Sequence, residues 1–206
     1  TDIEQTVDAF YGQLIYPLTK QLSASVGVRT SSVEDTNNML GVTHDDDATS
    51  GEFGLSYQLE NGWRVFGRYA DGFRFANADE NNLVLPGVDF LEAQTSRSGE
   101  LGAEWKGDRA SAQWSLYRMD IDNELMYDAV IANSNSYNGF GANINLDSSR
   151  RQGIAFDGQL VLSKEISLQA NYTYTDAELT SGSFPDNSVP YVAENRANVA
   201  IVFTPV

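Results

Sequence analysis

Cysteine is absent from this chain of 206 residues, which excludes a disulfide framework, thiolate chemistry and any cysteine-based metal site. Histidine occurs once, as His44, within Thr43-His44-Asp45-Asp46-Asp47. That segment reads as a solvated loop tip with no framework to fix ligand geometry, and no metal site is expected. Positive charge is scarce: 13 Lys and Arg stand against 29 Asp and Glu, for a formal net charge of −16. Binding a phosphate backbone needs clustered cations, so nucleic acid is excluded as a partner. Long apolar runs are missing as well. No stretch approaches the ~18 consecutive apolar residues of a transmembrane helix, and helical periodicity is nearly absent. There is no glycine-rich phosphate loop and no nucleophile elbow. Acidic pairs such as Asp79-Glu80 and Asp120/Asp122 read as loop charges, caps or turn formers rather than as general acid and base. No catalytic residue and no cofactor is expected. The chain opens at Thr1 without a basic segment followed by an apolar run, as a mature or truncated chain would.

What the sequence does have is alternation with a period of two, the mark of strands with one apolar face. From Ile166 to Thr175, Ile166, Leu168, Ala170, Tyr172 and Tyr174 fall on one face, and Ser167, Gln169, Asn171, Thr173 and Thr175 on the other. Residues 22–29, 52–59, 100–105 and 197–204 repeat the pattern. In 109–121 the phase slips near Arg118, which reads as a bulge. About nine strands are expected in all. Tight turns at Pro17 to Lys20, Glu60 to Gly62, Gly107 to Asp108 and Ser163 to Glu165 alternate with long polar segments at 31–50, 72–95, 122–148 and 176–195. Compact soluble domains rarely contain four such loops. Short periplasmic turns and long extracellular loops are the asymmetry of an outer-membrane barrel. Tyr16, Trp63, Trp105 and Phe203 lie beside the short turns on the apolar face and read as one aromatic girdle, with Tyr69, Tyr172 and Tyr174 toward the other end.

The expected fold is therefore all-β: an antiparallel up-and-down transmembrane β-barrel segment. Glu52, Arg64, Arg68, Glu100, Glu104, Asp157 and Asn171 on the polar face suit a wet lumen. The alternative is a soluble sandwich, in which the apolar face would be buried against a second sheet, as in an adhesin or carbohydrate-binding protein with no transport role.

Several segments then carry a family resemblance. Gly67-Arg68-Tyr69-Ala70-Asp71-Gly72-Phe73-Arg74, with Asn77 and Asp79-Glu80, is followed by Thr95-Ser96 leading into Glu100-Leu101-Gly102-Ala103-Glu104-Trp105. Next come Tyr117 to Glu124, Arg151-Gln152-Gly153-Ile154-Ala155-Phe156, Ala170 to Ala177, Val189-Pro190-Tyr191-Val192 and Arg196-Ala197-Asn198. Their order resembles the C-terminal half of TonB-dependent receptor barrels, from about Phe10 to Pro205. Phe75-Ala76, Ala93-Gln94, Ala155 and Ala193 depart from the family pattern and leave the subfamily open.

The resemblance implies an outer-membrane protein of a Gram-negative bacterium, with a full barrel of roughly twenty-two strands closed by a plug. Residues 1–206 read as a partial barrel domain without the plug and without a closing C-terminal strand. The implied function is TonB-energised uptake of a scarce nutrient, with a ferric siderophore as the favoured cargo. The implied partners are outer-membrane lipid and lipopolysaccharide, the TonB complex through the absent plug region, and a small-molecule cargo such as a ferric chelate. Loop 122–148 carries Tyr127, Tyr137 and Phe140 among Asn133, Asn135, Asn138 and Asn143, a mixture suited to a catecholate, haem or sugar-like ligand. Its alternative use is to pack its own aromatics or to touch lipopolysaccharide. Arg74 and Arg97, near the outer rim, are candidates for attracting an anionic chelate, against the alternative of pairing with loop acids.

Overall fold

A computed structural model describes residues 3–182 and 185–205. Thr1, Asp2, Val206, and Ser183 and Phe184 within the fourth long segment, lie outside the described residues. The strands are β1 (Ile3–Pro17), β2 (Leu22–Asn37), β3 (Val42–Gln58), β4 (Trp63–Arg74), β5 (Gln94–Lys106), β6 (Ala110–Asp122), β7 (Glu124–Ala132), β8 (Phe140–Leu146), β9 (Ser149–Val161), β10 (Ile166–Leu179) and β11 (Asn195–Phe203), with a five-residue helix α1 (Ala78–Asn82) after β4. Nine of them form one antiparallel sheet in the order β1-β2-β3-β4-β5-β6-β9-β10-β11, while β7 and β8 pair separately. Neighbours in the sheet are neighbours along the chain apart from the β7–β8 excursion, so the topology is up-and-down. The sheet is open, with β1 and β11 as its two ends.

Turn chemistry sets the short connections. Asn61 and Gly62 take φ of 57° and 81°, the positive values that a two-residue hairpin between twisted strands requires. Thr19 Oγ1 accepts from the amides of Gln21 and Leu22, and Ser163 Oγ accepts from those of Glu165 and Ile166. In both turns a hydroxyl satisfies amides that the ladder leaves free.

The register puts every alternating set on one face. Val26 is opposite Phe53, Phe53 opposite Tyr69, Leu101 opposite Leu116, Phe156 opposite Tyr172 and Leu168 opposite Ile201. Cross-strand partners share a face, so these residues form a continuous apolar surface. Among the described residues no second sheet covers it, and Leu101, Val199 and Ile201 are each about 70% exposed (67%, 68% and 74%). Within residues 3–182 and 185–205 the sheet therefore does not form a sandwich. The row beginning at Tyr16, one residue from a short turn, runs through Ala24, Leu55, Gly67, Leu101, Leu116 and Ile154 to Tyr174, in the upper half of β10. That offset is the shear of strands tilted across an apolar band, as barrel closure requires.

Four expectations are corrected. Residues 31–50 are not a loop: β2 and β3 continue paired to a tight turn at Asn37, whose Oδ1 accepts from Met39 and Leu40 amides. Their polar side chains hide a strand held by backbone pairing. His44 accordingly sits in β3 opposite Asp35, not at a loop tip. Segment 122–148 contains the β7–β8 hairpin. No bulge occurs at Arg118, since β6 keeps an unbroken register with both β5 and β9. The apparent slip arises because Arg118 and Asp120 continue the apolar face as charges while Tyr117, Met119 and Ile121 occupy the polar one.

Candidate functional site

The polar face is tied together by charges that bridge strands. Glu52 leans over Gly27, where an added Cβ would stand 2.8 Å from its Cγ. From there it accepts from Gln13 Nε2 at 2.9 Å and from Arg68 Nη2 at 2.6 Å, joining β1, β3 and β4 across β2. Arg64 pairs with Glu104 at 2.6 Å while its guanidinium stacks 4.9 Å from the Phe66 ring. Lys106 reaches the same Glu104 at 3.5 Å. Hydrogen-bonded charges of both signs on one face are the furnishing of a hydrated interior, not of a packed core.

Toward the long-connection end, residues 75–93 fold across β1–β3. Gln5 Nε2 donates to Asp35 Oδ1 and to the Ala76 carbonyl, both at 2.8 Å, and Phe90 stacks on His44 at 5.5 Å. Asn77 caps α1 in a reciprocal box with Glu80, so the acidic pair Asp79-Glu80 serves the helix start as expected. Ala76, Val84 and Leu91 form a small buried cluster with Leu125 of β7 against it. Asparagines clamp this layer to the hairpin. Asn133, fully buried, donates to the carbonyls of Val84 and Gly141 at 3.2 and 2.8 Å. Asn135 also donates to Val84, Asn143 donates to the Glu80 carbonyl at 2.9 Å, and Asn145 binds the Glu92 backbone as both donor and acceptor. The side chains of Asn133, Asn135 and Asn143 thus hydrogen-bond within the protein, and the exposed Asn138 accepts from Ser136 and from the Phe140 amide.

The aromatics of that segment remain available. Tyr137, in the turn of the hairpin, is fully exposed, and Tyr127 and Phe140 are each about half exposed (51% and 53%). The Tyr127 hydroxyl lies against Gly141, where no side chain intervenes. Among the described residues no ring contact joins the three. Arg74 is on the polar face but is held by both carboxylate oxygens of Glu80, at 2.8 and 2.9 Å. Arg97 lies four residues before Leu101 in β5 and therefore on the apolar face, opposite Asp71 and Asp120. The two arginines are not brought together.

Tyr16, Trp63, Trp105 and Phe203 all stand on the apolar face near the short turns, with Trp63 directly opposite Trp105. Trp114, which the girdle expectation omitted, stacks on Trp63 at 5.9 Å and meets Phe156 at 5.7 Å. Trp114 shares its face with Leu116 in the sequence pattern; its greater distance from a turn concealed it. Two further residues were not among the sequence candidates. Arg29 lies 5.2 Å from the Phe73 ring, and Tyr191 is almost fully exposed at a φ of 62°, a strained value for a bulky side chain.

The family model described as TonB dependent receptor-like, beta-barrel, matches residues 1–205. Among solved structures, a copper transporter, OprC, superposes with a TM-score of 0.80 at 14% identity, covering 100% of this chain and 34% of its own. The ferripyoverdine receptor of the Pseudomonas aeruginosa outer membrane gives 0.74 at 16% identity, covering 97% and 26%. The ferric yersiniabactin uptake receptor FyuA from Yersinia pestis gives 0.72 at 20% identity, covering 97% and 31%. The chain thus spans about a third or less of the length of these proteins.

Proposed function

The chain belongs to the TonB-dependent receptor β-barrel family, and from that premise we propose that it builds part of the wall and surface loops of an outer-membrane receptor for TonB-energised uptake of a ferric siderophore. The observation that carries the reading is the uncovered apolar face opposite a face of bridged charges. An apolar surface spanning nine strands is stable only against lipid, and the bridged charges then line the lumen. On this reading the short turns lie in the periplasm and the β7–β8 hairpin, helix α1 and residues 185–194 lie outside the cell. Tyr16, Trp63, Trp105 and Phe203 form the periplasmic-side girdle. Energy would reach the cargo through a plug region, where the TonB complex acts; the elements described here supply wall and loops. Tyr127, Tyr137 and Phe140 are the cargo contacts, because exposed rings on outer loops suit a flat aromatic chelate. Arg74 takes part only by holding α1. The iron reading is supported by the likeness to the two ferric-chelate receptors above; the copper transporter broadens the panel to be tested.

The test is uptake by cells displaying the intact receptor, using ferric hydroxamates, ferric catecholates, haem and copper(II), with and without an uncoupler. Energy-dependent uptake of at least one ferric siderophore above a receptor-null strain supports the proposal. Normal surface expression with uptake of copper or haem alone overturns the siderophore assignment.

A further inference from the structure

We propose that the free upper edge of β3 is a docking site for an extended, cationic segment of a second protein, which adds there as a strand outside the cell. This rests on the membrane placement proposed above. β3 pairs with β2 along its whole length but with β4 only over residues 52–58. The direction of its backbone groups is set at its lower end. There the Gln58 amide donates to the Gln21 carbonyl on the β2 side, and the following amide, of Leu59, donates to the Trp63 carbonyl on the β4 side. This direction alternates along an antiparallel strand, and the register with β2 is unbroken. Thr43, Asp45, Asp47 and Thr49 therefore turn their N–H and C=O groups away from β2, above the point where pairing with β4 stops. Among the described residues one of these groups has a partner: the Asp47 amide donates to Asp46 Oδ1 at 2.8 Å. The others are open to an added strand.

The surroundings keep this edge open and select its occupant. Residues 75–93 cross the lumen face of β1–β3, where Phe90 meets His44, and so lie against the face of the hairpin rather than along its edge. On the outward face Phe53 is the last apolar residue of β3, and Thr43, Asp45, Asp47 and Thr49 above it are all exposed. The edge thus stands in water above the apolar band. Glu34 lies directly opposite Asp45, and among the described residues Glu34, Asp45 and Asp47 make no ion pair. Two copies of this edge would set like charges against each other, so the acids bar self-pairing. The same acids favour a strand with Lys or Arg at alternate positions. In such an addition backbone bonds supply affinity and alternate side chains supply selection. Asp45 and Asp47 turn both backbone groups to the edge, so a lysine opposite either one sits in a hydrogen-bonded pair and uses its own N–H there.

The probe is a fluorescent peptide of alternating lysine and threonine, about ten residues long, titrated onto cells displaying the intact receptor and onto a receptor-null strain. The peptide should bind the receptor, and its counterpart with glutamate for lysine should not. N-methylation at the lysines should weaken binding roughly tenfold, whereas N-methylation at the threonines should leave it within about twofold. Thr49→Pro removes an edge N–H that has no partner in the protein, so surface expression should hold while peptide binding falls roughly tenfold. Asp45→Asn/Asp47→Asn should weaken the peptide about fivefold relative to Asp89→Asn/Asp186→Asn, exposed loop controls of equal charge change. No binding by the lysine peptide, equal binding by the two N-methylated forms, unchanged binding to Thr49→Pro, or equal weakening by the control pair overturns the docking edge. If the membrane placement itself fails, Thr43→Cys will resist a membrane-impermeant maleimide on intact cells and react only after lysis, a result distinct from any of these.

Discussion

Leu168 and Gln169 are adjacent in β10, yet the register sets Leu168 opposite Ile201 on the apolar face and Gln169 opposite Gln159 on the polar one. On the proposed membrane placement arginine at the first position enters lipid, and at the second it enters a surface already furnished with charge. Leu168→Arg should therefore destabilise the folded receptor by about 2–4 kcal/mol if it lies near the bilayer midplane, and Gln169→Arg by much less. A folding titration in liposomes measures both; equal losses would contradict the orientation. Arg74 and Glu80 make a partly exposed pair, worth only ~0.2–1 kcal/mol in stability. Arg74→Ala should leave ferric-chelate affinity within twofold in a surface-binding assay, because the guanidinium is committed to α1. A loss of tenfold would return Arg74 to the cargo site. The face of Arg97 was open to counting from Leu101 in the sequence; its nearness to the rim, not its phase, suggested contact with an anionic chelate.

At the scale of elements, the clamp between residues 75–93 and the β7–β8 hairpin rests on Asn133, whose buried amide has partners on both sides. Asn133→Ala leaves the Gly141 carbonyl without that donor and the Val84 carbonyl with Asn135 alone, a cost of about 1–3 kcal/mol for a buried group left unsatisfied. Faster hydrogen exchange in residues 80–92 than in the wild type, with β4 and β5 unchanged, is the expected outcome. Unchanged exchange would show that the buried Ala76, Val84 and Leu91 cluster holds the layer unaided. The free rings make a second test: Tyr127, Tyr137 and Phe140 replaced together by Ala should weaken ferric-siderophore binding by roughly 0.5–1.5 kcal/mol for each ring that stacks on the ligand. Unaltered affinity at normal surface expression would remove this hairpin from the cargo site.

The short turns and apolar strand cores were legible in the sequence because a period of two has only two phases, and Thr19, Asn61-Gly62 and Ser163 announce their turns. The upper parts of β2 and β3 were not legible. Ser, Thr and Asp alternate there with one another, so no contrast in polarity marks the strand. In β7, Leu125-Met126-Tyr127 and Val130-Ile131 break the alternation. The clamp was beyond sequence reasoning, since Asn133 and Val84 are 49 residues apart and an amide does not reveal whether its partner is backbone or ligand.

For the whole molecule, the nine-stranded sheet is sheared, open at both ends, and divided into an uncovered apolar face and a charged one. The proposed membrane placement puts lipid against the first and water against the second and so satisfies both. The absence of cysteine from these 206 residues makes the division directly measurable. Single cysteines are introduced at Leu168, Gln169, Ala170, Asn171 and Tyr172 of the intact receptor, spin-labelled, and read in liposomes for collision with oxygen and with a water-soluble nickel chelate. Labels at 168, 170 and 172 should favour oxygen and those at 169 and 171 the chelate, alternating residue by residue. Uniform accessibility along the five positions, or the reverse alternation, would contradict a lipid-facing apolar surface.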